Sequence, residues 1–185
     1  MKKSILFVLA LSAHLGAGAQ EAGYQPGAII TLTNERIEGL VKNVNLAPAR
    51  ILVDIKFKKS EGEKVTVYSP DELLGYESQG STYVPKTTSM GNKIFVKKLI
   101  TGKLSLYGEL AFDGSDSYNV THVYYIQLDT DPVLRDVPQI SFRSQMLKYL
   151  KNAPGLCNLI SDKTLKWKDL PKIVAMYNEE VQVPN

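Results

Sequence analysis

The chain has one cysteine, Cys157, and two histidines, His14 and His122. A single cysteine excludes an intrachain disulfide in any compartment. The same scarcity argues against zinc, because structural sites take four protein ligands and catalytic sites three. No metal ligand is therefore assigned. A cysteine–histidine nucleophile pair would require Cys157 and His122 to meet in space, and neither neighbourhood favours it. Cys157 lies in "GLCNLI", an apolar setting that suits core packing better than reactivity. His122 lies in "VTHVYY" and reads as a strand residue facing solvent or accepting a hydrogen-bond partner.

Charge of one sign is also lacking. Lys and Arg number 22 against 19 acids, a formal +3. Lysines gather at Lys56, Lys58 and Lys59 and again at Lys97, Lys98 and Lys103, but Glu61, Glu63 and Glu109 interleave with them. Nucleic-acid binding calls for a one-sign stripe, so no nucleic-acid partner is expected. Close acid pairs occur at Asp113/Asp116 and Asp129/Asp131. Neither has the regular oxygen spacing of a calcium loop, and both fall among turn formers.

The stretch "LITGKLSLYGE" (99–109) looks at first like a phosphate loop. A Walker-type loop needs a second glycine five residues before the Gly-Lys, a Ser or Thr after it and a helix to follow. Here the upstream glycine is Gly91, Leu104 follows Lys103, and strand-like alternation comes next. The stretch reads as a hairpin, with Gly102 as a turn residue free to take positive φ. No cofactor loop and no catalytic residue is assigned.

What is present begins at the N-terminus. Lys2 and Lys3 precede an apolar run from Ile5 to Leu15, and Ala17-Gly18-Ala19 closes it before Gln20. This is the pattern of a secretory signal peptide, cleaved after Ala19, the competing reading being an ordinary N-terminal helix. The run is too short for the ~20 apolar residues of a membrane span, and no other stretch reaches that length. The expected product starts at Gln20, is exported to the periplasm or beyond, and has no transmembrane segment. Losing Lys2 and Lys3 leaves 20 basic against 19 acidic residues, so the charge becomes +1. The remaining 166 residues suit one domain with a real core.

Residues 28–128 carry a β signal. "AIITL" and "RIEGLVKNV" flank a polar "TNE" turn as a hairpin. In "RILVDIKF", Ile51, Val53, Ile55 and Phe57 share one face, with Asp54, Lys56 and Lys58 opposite. Pro48 marks the loop before that strand. "YSPDELLGYES" offers a capping box, Ser69 with Glu72, so one helical turn ending at Gly75 is expected before a strand near Tyr76. "FDGSDS" is a turn, "YNVTHVYYIQL" a strand or a pair of strands, and "DTDPVLRDVPQ" a connector. In residues 141–182 the period becomes helical. Phe142, Met146, Tyr149 and Leu150 share a stripe after Ser141, and "GLCNLIS" forms a short helix. Leu170, Ile173, Val174, Tyr177 and Val181 line a third, with Asp169 as its cap and Pro171 in its first turn. Strands first and helices last predict an α+β fold. It is an antiparallel sheet or partly closed small barrel of about seven or eight strands, followed by two or three C-terminal helices.

Several of these segments together resemble a family of small exported proteins of unknown function common in Bacteroidota. They are "YQPGAIITLTNERIEGLV" (24–41), "VYSPDELLGYES" (67–78), "FVKKLITGKLSLYGE" (95–109) and "MLKYLKNAPGL" (146–156). The likeness covers most of the chain after the leader and departs from the family pattern in lacking a glycine in the first turn. It implies an envelope or secreted location and brings no active-site residues.

The functional expectation is a non-enzymatic envelope protein, an interaction or structural module whose partner class is another envelope protein. The alternative is a binding module for a small apolar, lipid or glycan ligand. It draws on ten tyrosines, among them Tyr24, Tyr68, Tyr76, Tyr83, Tyr107, Tyr118, Tyr124 and Tyr125, which equally suit strand interiors. A hydrolase using carboxylates alone would need two of them about 5–10 Å apart across a cleft.

Overall fold

The structure, a computed structural model, describes residues 23–46, 51–112 and 120–180. Ala17, Ala19 and Gln20 of the expected cleavage site, Pro48, Asp113, Asp116, Tyr118 and Val181 lie outside those residues.

Ten antiparallel strands form one sheet. They are β1 (Gln25–Thr31), β2 (Arg36–Leu46), β3 (Ile51–Lys58), β4 (Thr66–Tyr68), β5 (Leu73–Ser78), β6 (Ser81–Thr87), β7 (Lys93–Ile100), β8 (Leu104–Phe112), β9 (Val120–Leu128) and β10 (Arg135–Asp136). Their spatial order is β10-β9-β8-β7-β6-β5-β1-β2-β3-β4. Helices α1 (Phe142–Tyr149), α2 (Pro154–Ser161) and α3 (Leu170–Glu180) follow, with a 3₁₀ turn at Trp167–Asp169 before α3. The α+β class is as expected. The sheet does not close into a barrel.

It is nevertheless strongly curled, and chain length requires this. In a flat sheet β4 and β5 would stand four strand spacings apart, ~19 Å at ~4.8 Å each. The five Cα steps from Tyr68 to Leu73 reach at most ~17 Å when fully extended. The curl brings β3 back into contact with β7. Gly27 and Gly39 sit opposite each other on the concave side of the bend. A Cβ on Gly27 would lie 2.0 Å from the Glu77 carbonyl oxygen, and one on Gly39 2.6 Å from the Phe57 ring. No larger residue fits either place.

The concave face encloses Ile29, Val41, Ile55, Phe57, Leu73, Tyr76 and Phe95, all buried. Full burial of side chains of this size stabilises by about 1.5–3 kcal/mol each. Tyr76 stacks on Tyr83 at 4.5 Å and meets Phe95 edge-on at 5.0 Å. Further along the sheet the three helices cover Leu104, Leu106 and Ile126 with Met146, Leu150, Ile160, Leu170, Ile173 and Val174. On the opposite face Ile94, Val96, Tyr107 and Leu134 form a third cluster. Strand β7 is thus covered on both sides, which is why Ile94, Phe95 and Val96 are consecutive and all buried.

Several expectations need correction. Among the described residues the strand number is ten, because β4 and β10 are edge pieces of three and two residues that no periodicity resolves. Strand β6, about which nothing was expected, carries Pro85, an unusual residue for the middle of a sheet. The β5–β6 ladder ends at Tyr76↔Tyr83 while β6–β7 runs on to Thr87↔Lys93, so Pro85 falls where one neighbour has parted. "YNVTHVYYIQL" holds a single strand, β9, the first of the two readings expected of it. The Ser69–Glu72 box forms, with Ser69 N–H and Oγ–H both donating to Glu72 Oε2 at 2.8 Å. It stabilises a single turn only, since Leu73 already enters the sheet and is buried. Lys58 is 2% exposed rather than solvent-facing. Asp169 caps the 3₁₀ turn, accepting from Lys166 N–H at 2.9 Å, and not α3.

The reading of Gly102 also needs correction. Its φ is not positive. It stands instead where a Cβ would lie 2.4 Å from the Asn178 side-chain amide. Asn178, on α3, accepts from Leu104 N–H and donates to Leu104 C=O, both at 2.9 Å. The amide thus mimics a neighbouring strand and fastens the helix to the β7–β8 hairpin.

Candidate functional site

The larger of two concavities is an open groove of about 770 Å³ at one end of β1, β2, β5 and β6, where Gly27, Gly39 and Ser78 meet the convex-side residues Arg36, Glu38, Glu77 and Thr82. Register places its charged residues Arg36, Glu38 and Glu77 in two rows on the convex face. Glu38, Ala28, Glu77 and Thr82 form one row across four strands. Arg36, Ile30 and Gly75 form the next, with Val84 beside Gly75. Ala28 is small and fully buried, so the side chains flanking it approach over it. Arg36 NH1 donates to Glu38 Oε1 at 2.8 Å, while Nε and NH2 donate to Glu77 Oε2 at 3.1 and 2.7 Å. The hydrogen bonds to Glu77, then to Glu38, raise the Arg36 pKa and hold the guanidinium charged. All three side chains are solvent-accessible, so each pair contributes little to stability.

Two exposed leucines adjoin these rows. Leu32 lies in the β1–β2 turn and is 60% exposed. Leu74 is 45% exposed, beside a register shift at Ile30/Thr31, where Thr31 pairs with Leu73 and Ile30 with Gly75. That shift inserts one residue and turns Leu74 outward while Leu73 and Tyr76 both stay inside. Asp71, salt-bridged to Lys93 at 2.7 Å, and Glu72 flank this apolar spot. None of these residues stood out in the sequence. The only signal was the consecutive pair Leu73-Leu74, which breaks strand alternation.

A second hollow of about 270 Å³ opens where the curl ends, lined by Ile29, Ile37, Phe57, Lys58, Lys59, Glu63, Lys64, Thr66 and Tyr68. Lys58 donates to Glu61 Oε2 at 2.6 Å and lies 4.4 Å from the Tyr24 ring centre, with Lys42 at 5.5 Å from the same ring. A buried ammonium needs such partners, a carboxylate and an aromatic face.

The tyrosines do not converge on either concavity. Tyr24, Tyr76 and Tyr107 are buried. Tyr83 lies on Tyr76, Tyr68 edge-on to Phe57, and Tyr124 against Trp167. Among the described residues, Tyr68 is the tyrosine that lines one of these two hollows. Among the acids, Asp131 accepts from Val133 N–H at 3.0 Å and from Arg135 at 2.8 Å. The backbone bond first, then Arg135, lowers its pKa below the usual carboxylate range, the opposite of what a general acid needs. Glu38 and Glu77 are the acids that share a concavity, and Arg36 fills the space between them.

The Cys157 thiol is half-buried and donates to Leu150 C=O at 3.1 Å, joining α2 to the end of α1. Burial, then Glu180, raises its pKa, which works against thiolate chemistry. His122 sits in β9, paired in register with Leu110 of β8. Among the described residues no three His, Cys, Asp or Glu side chains are grouped to hold a metal, and no helix is long and apolar enough to cross a membrane. No protein-family model, curated protein or solved structure matches the chain.

Proposed function

We propose that the chain is an exported, non-enzymatic envelope protein that acts as an interaction or structural module, like the small Bacteroidota proteins it resembles. The observation that carries this reading is the convex face of β1, β5 and β6. There Leu32 and Leu74 are exposed beside the charged Arg36, Glu38 and Glu77 side chains. An apolar centre within a polar, charged rim is the anatomy of a protein contact surface. The groove beside it is open and no aromatic side chain lines it, which favours a protein partner over a glycan or lipid. Export rests on the leader-like residues 1–19, with Ala17 and Ala19 before Gln20.

Cross-linking of the tagged protein in its native envelope, followed by mass spectrometry, tests the reading. A defined partner in reproducible ratio, cross-linked through the β1/β5 face, is expected. A folded, exported protein that captures nothing there overturns it. Amino-terminal sequencing of the exported form should begin at Gln20, and an intact leader overturns export.

A further inference from the structure

We propose that the partner on the β1/β5 face is a second copy of this chain, bound through the start of its helical layer. This rests on the interaction-module reading and makes it specific. The receiving surface is the apolar spot of Leu32 and Leu74, continued by the half-buried Ile30 and Val84. Its rim is acidic: Glu35, Glu38, Asp71, Glu72 and Glu77 stand against Arg36, Lys59 and Lys93, an excess of two negative charges. Lys86 on β6 turns away, its Nζ donating to Gln127 at 2.7 Å over the Tyr107 ring.

The complementary surface is on the same chain. Ile140, just before α1, is 99% exposed. A fully exposed isoleucine in a stretch whose neighbours Val137 and Phe142 are buried is an unpaired knob. Its surroundings carry a basic surplus: Arg143, Lys163, Lys166 and Lys168 stand against Asp162 and Asp169. Trp167 Nε1–H donates to Val137 C=O at 2.7 Å, which brings Lys166 and Lys168 beside the Ile140 segment. Arg143 donates to Ser161 C=O, which brings Asp162 and Lys163 to the same side. From 141 to 180 there are seven Lys or Arg against four Asp or Glu, a surplus of three positive charges. The same chain therefore holds an apolar knob in a basic setting and an apolar spot in an acidic one.

The two surfaces lie on different faces of the sheet. The helices cover the side that carries Leu104, Leu106 and Ile126, while Leu74 and Ile30 look out from the other. A contact between unlike patches is head-to-tail, and it grows into open chains unless rotation closes a ring. Such assembly gives the structural role a physical form. Opposite charge on the two rims sets orientation and speeds encounter more than it adds affinity.

Sedimentation velocity on the exported protein at rising concentration tests this. Assemblies larger than a dimer should appear, and added salt should weaken them. Leu74→Asp and Ile140→Asp each remove one half of the contact, and each alone should weaken association about 30-fold or more, the effect of losing a central apolar anchor. A mixture of the two variants retains one intact contact, Leu74 of one with Ile140 of the other. It should therefore form a one-to-one pair that grows no further. Leu32→Asp serves in place of Leu74→Asp if the latter lowers the melting temperature. A protein that stays monomeric, a closed dimer indifferent to both variants, or a variant mixture that does not pair overturns the proposal. A monomer that still cross-links to a different envelope protein through the β1/β5 face would overturn self-association while leaving the interaction-module reading standing.

Discussion

Replacing Asn178 with alanine should cost this protein a large part of its stability, and the structure says why. Both hydrogen bonds from its amide end on Leu104, whose side chain is fully buried and whose N–H and C=O face the helix. Leaving a buried backbone donor and acceptor without partners costs about 1–3 kcal/mol each. The expected loss is about 2–6 kcal/mol, set against a typical total of about 5–15 kcal/mol. For a chain of this size each kcal/mol lowers Tm by about 2–4 °C, so thermal or urea unfolding resolves the effect easily. Gly102→Ala provides the sharper test. Its new Cβ would fall 2.4 Å from the Asn178 amide and must displace it, an overpacking cost of about 1–3 kcal/mol. In the Asn178→Ala background that space is vacated, and the same glycine substitution should cost almost nothing. The double-mutant cycle should therefore show a coupling of about 1–3 kcal/mol. If Gly102→Ala costs the same in both backgrounds, the contact with Asn178 is not the reason for glycine at this position.

The Lys58–Glu61 pair is expected to be asymmetric: Lys58→Met should be near neutral, whereas Glu61→Ala removes the carboxylate from a buried ammonium and should destabilise by more in urea unfolding. Equal losses would refute this. Glu72, Asp131 and Asp162 all have folded-state pKa values below the ordinary range, held down by backbone and side-chain hydrogen bonds, backbone first in each case. A depressed carboxyl contributes stability that is present above its unfolded pKa and is lost as pH falls through the folded one. Stability should therefore decline below about pH 4, where model carboxyls titrate, and Asp131→Asn should flatten that decline; an unchanged acid limb refutes it. Cys157 should react with a disulfide reagent near pH 8 far more slowly in the native than in the urea-unfolded protein, because burial raises its pKa and its thiol donates to Leu150. Equal rates would mean that the thiol is open.

Local pattern determined much of this molecule. The alternation in "RILVDIKF" announced β3, and the stripe of Leu170, Ile173, Val174 and Tyr177 announced the buried side of α3. The Gly-Lys of "LITGKLSLYGE" is a hairpin because strands flank it on both sides. Asn34, at φ 63°, fills the left-handed place in the first turn that a glycine would otherwise take. Each of these features depends on residues within a few positions of one another, where period and turn chemistry act. Tertiary structure decided the rest. Lys58 sits on the polar side of its strand by period, yet the curl and the following loop enclose it with Glu61 and Tyr24. Gly102 is required by a residue 76 positions later, which no local pattern contains. The candidate surface has the same origin, since Arg36 meets Glu77 across 41 residues and Leu74 faces outward only because β1 and β5 slip by one. Alternation fixes which face a side chain occupies, but which faces water reaches depends on how far the sheet bends and where the helices come to rest.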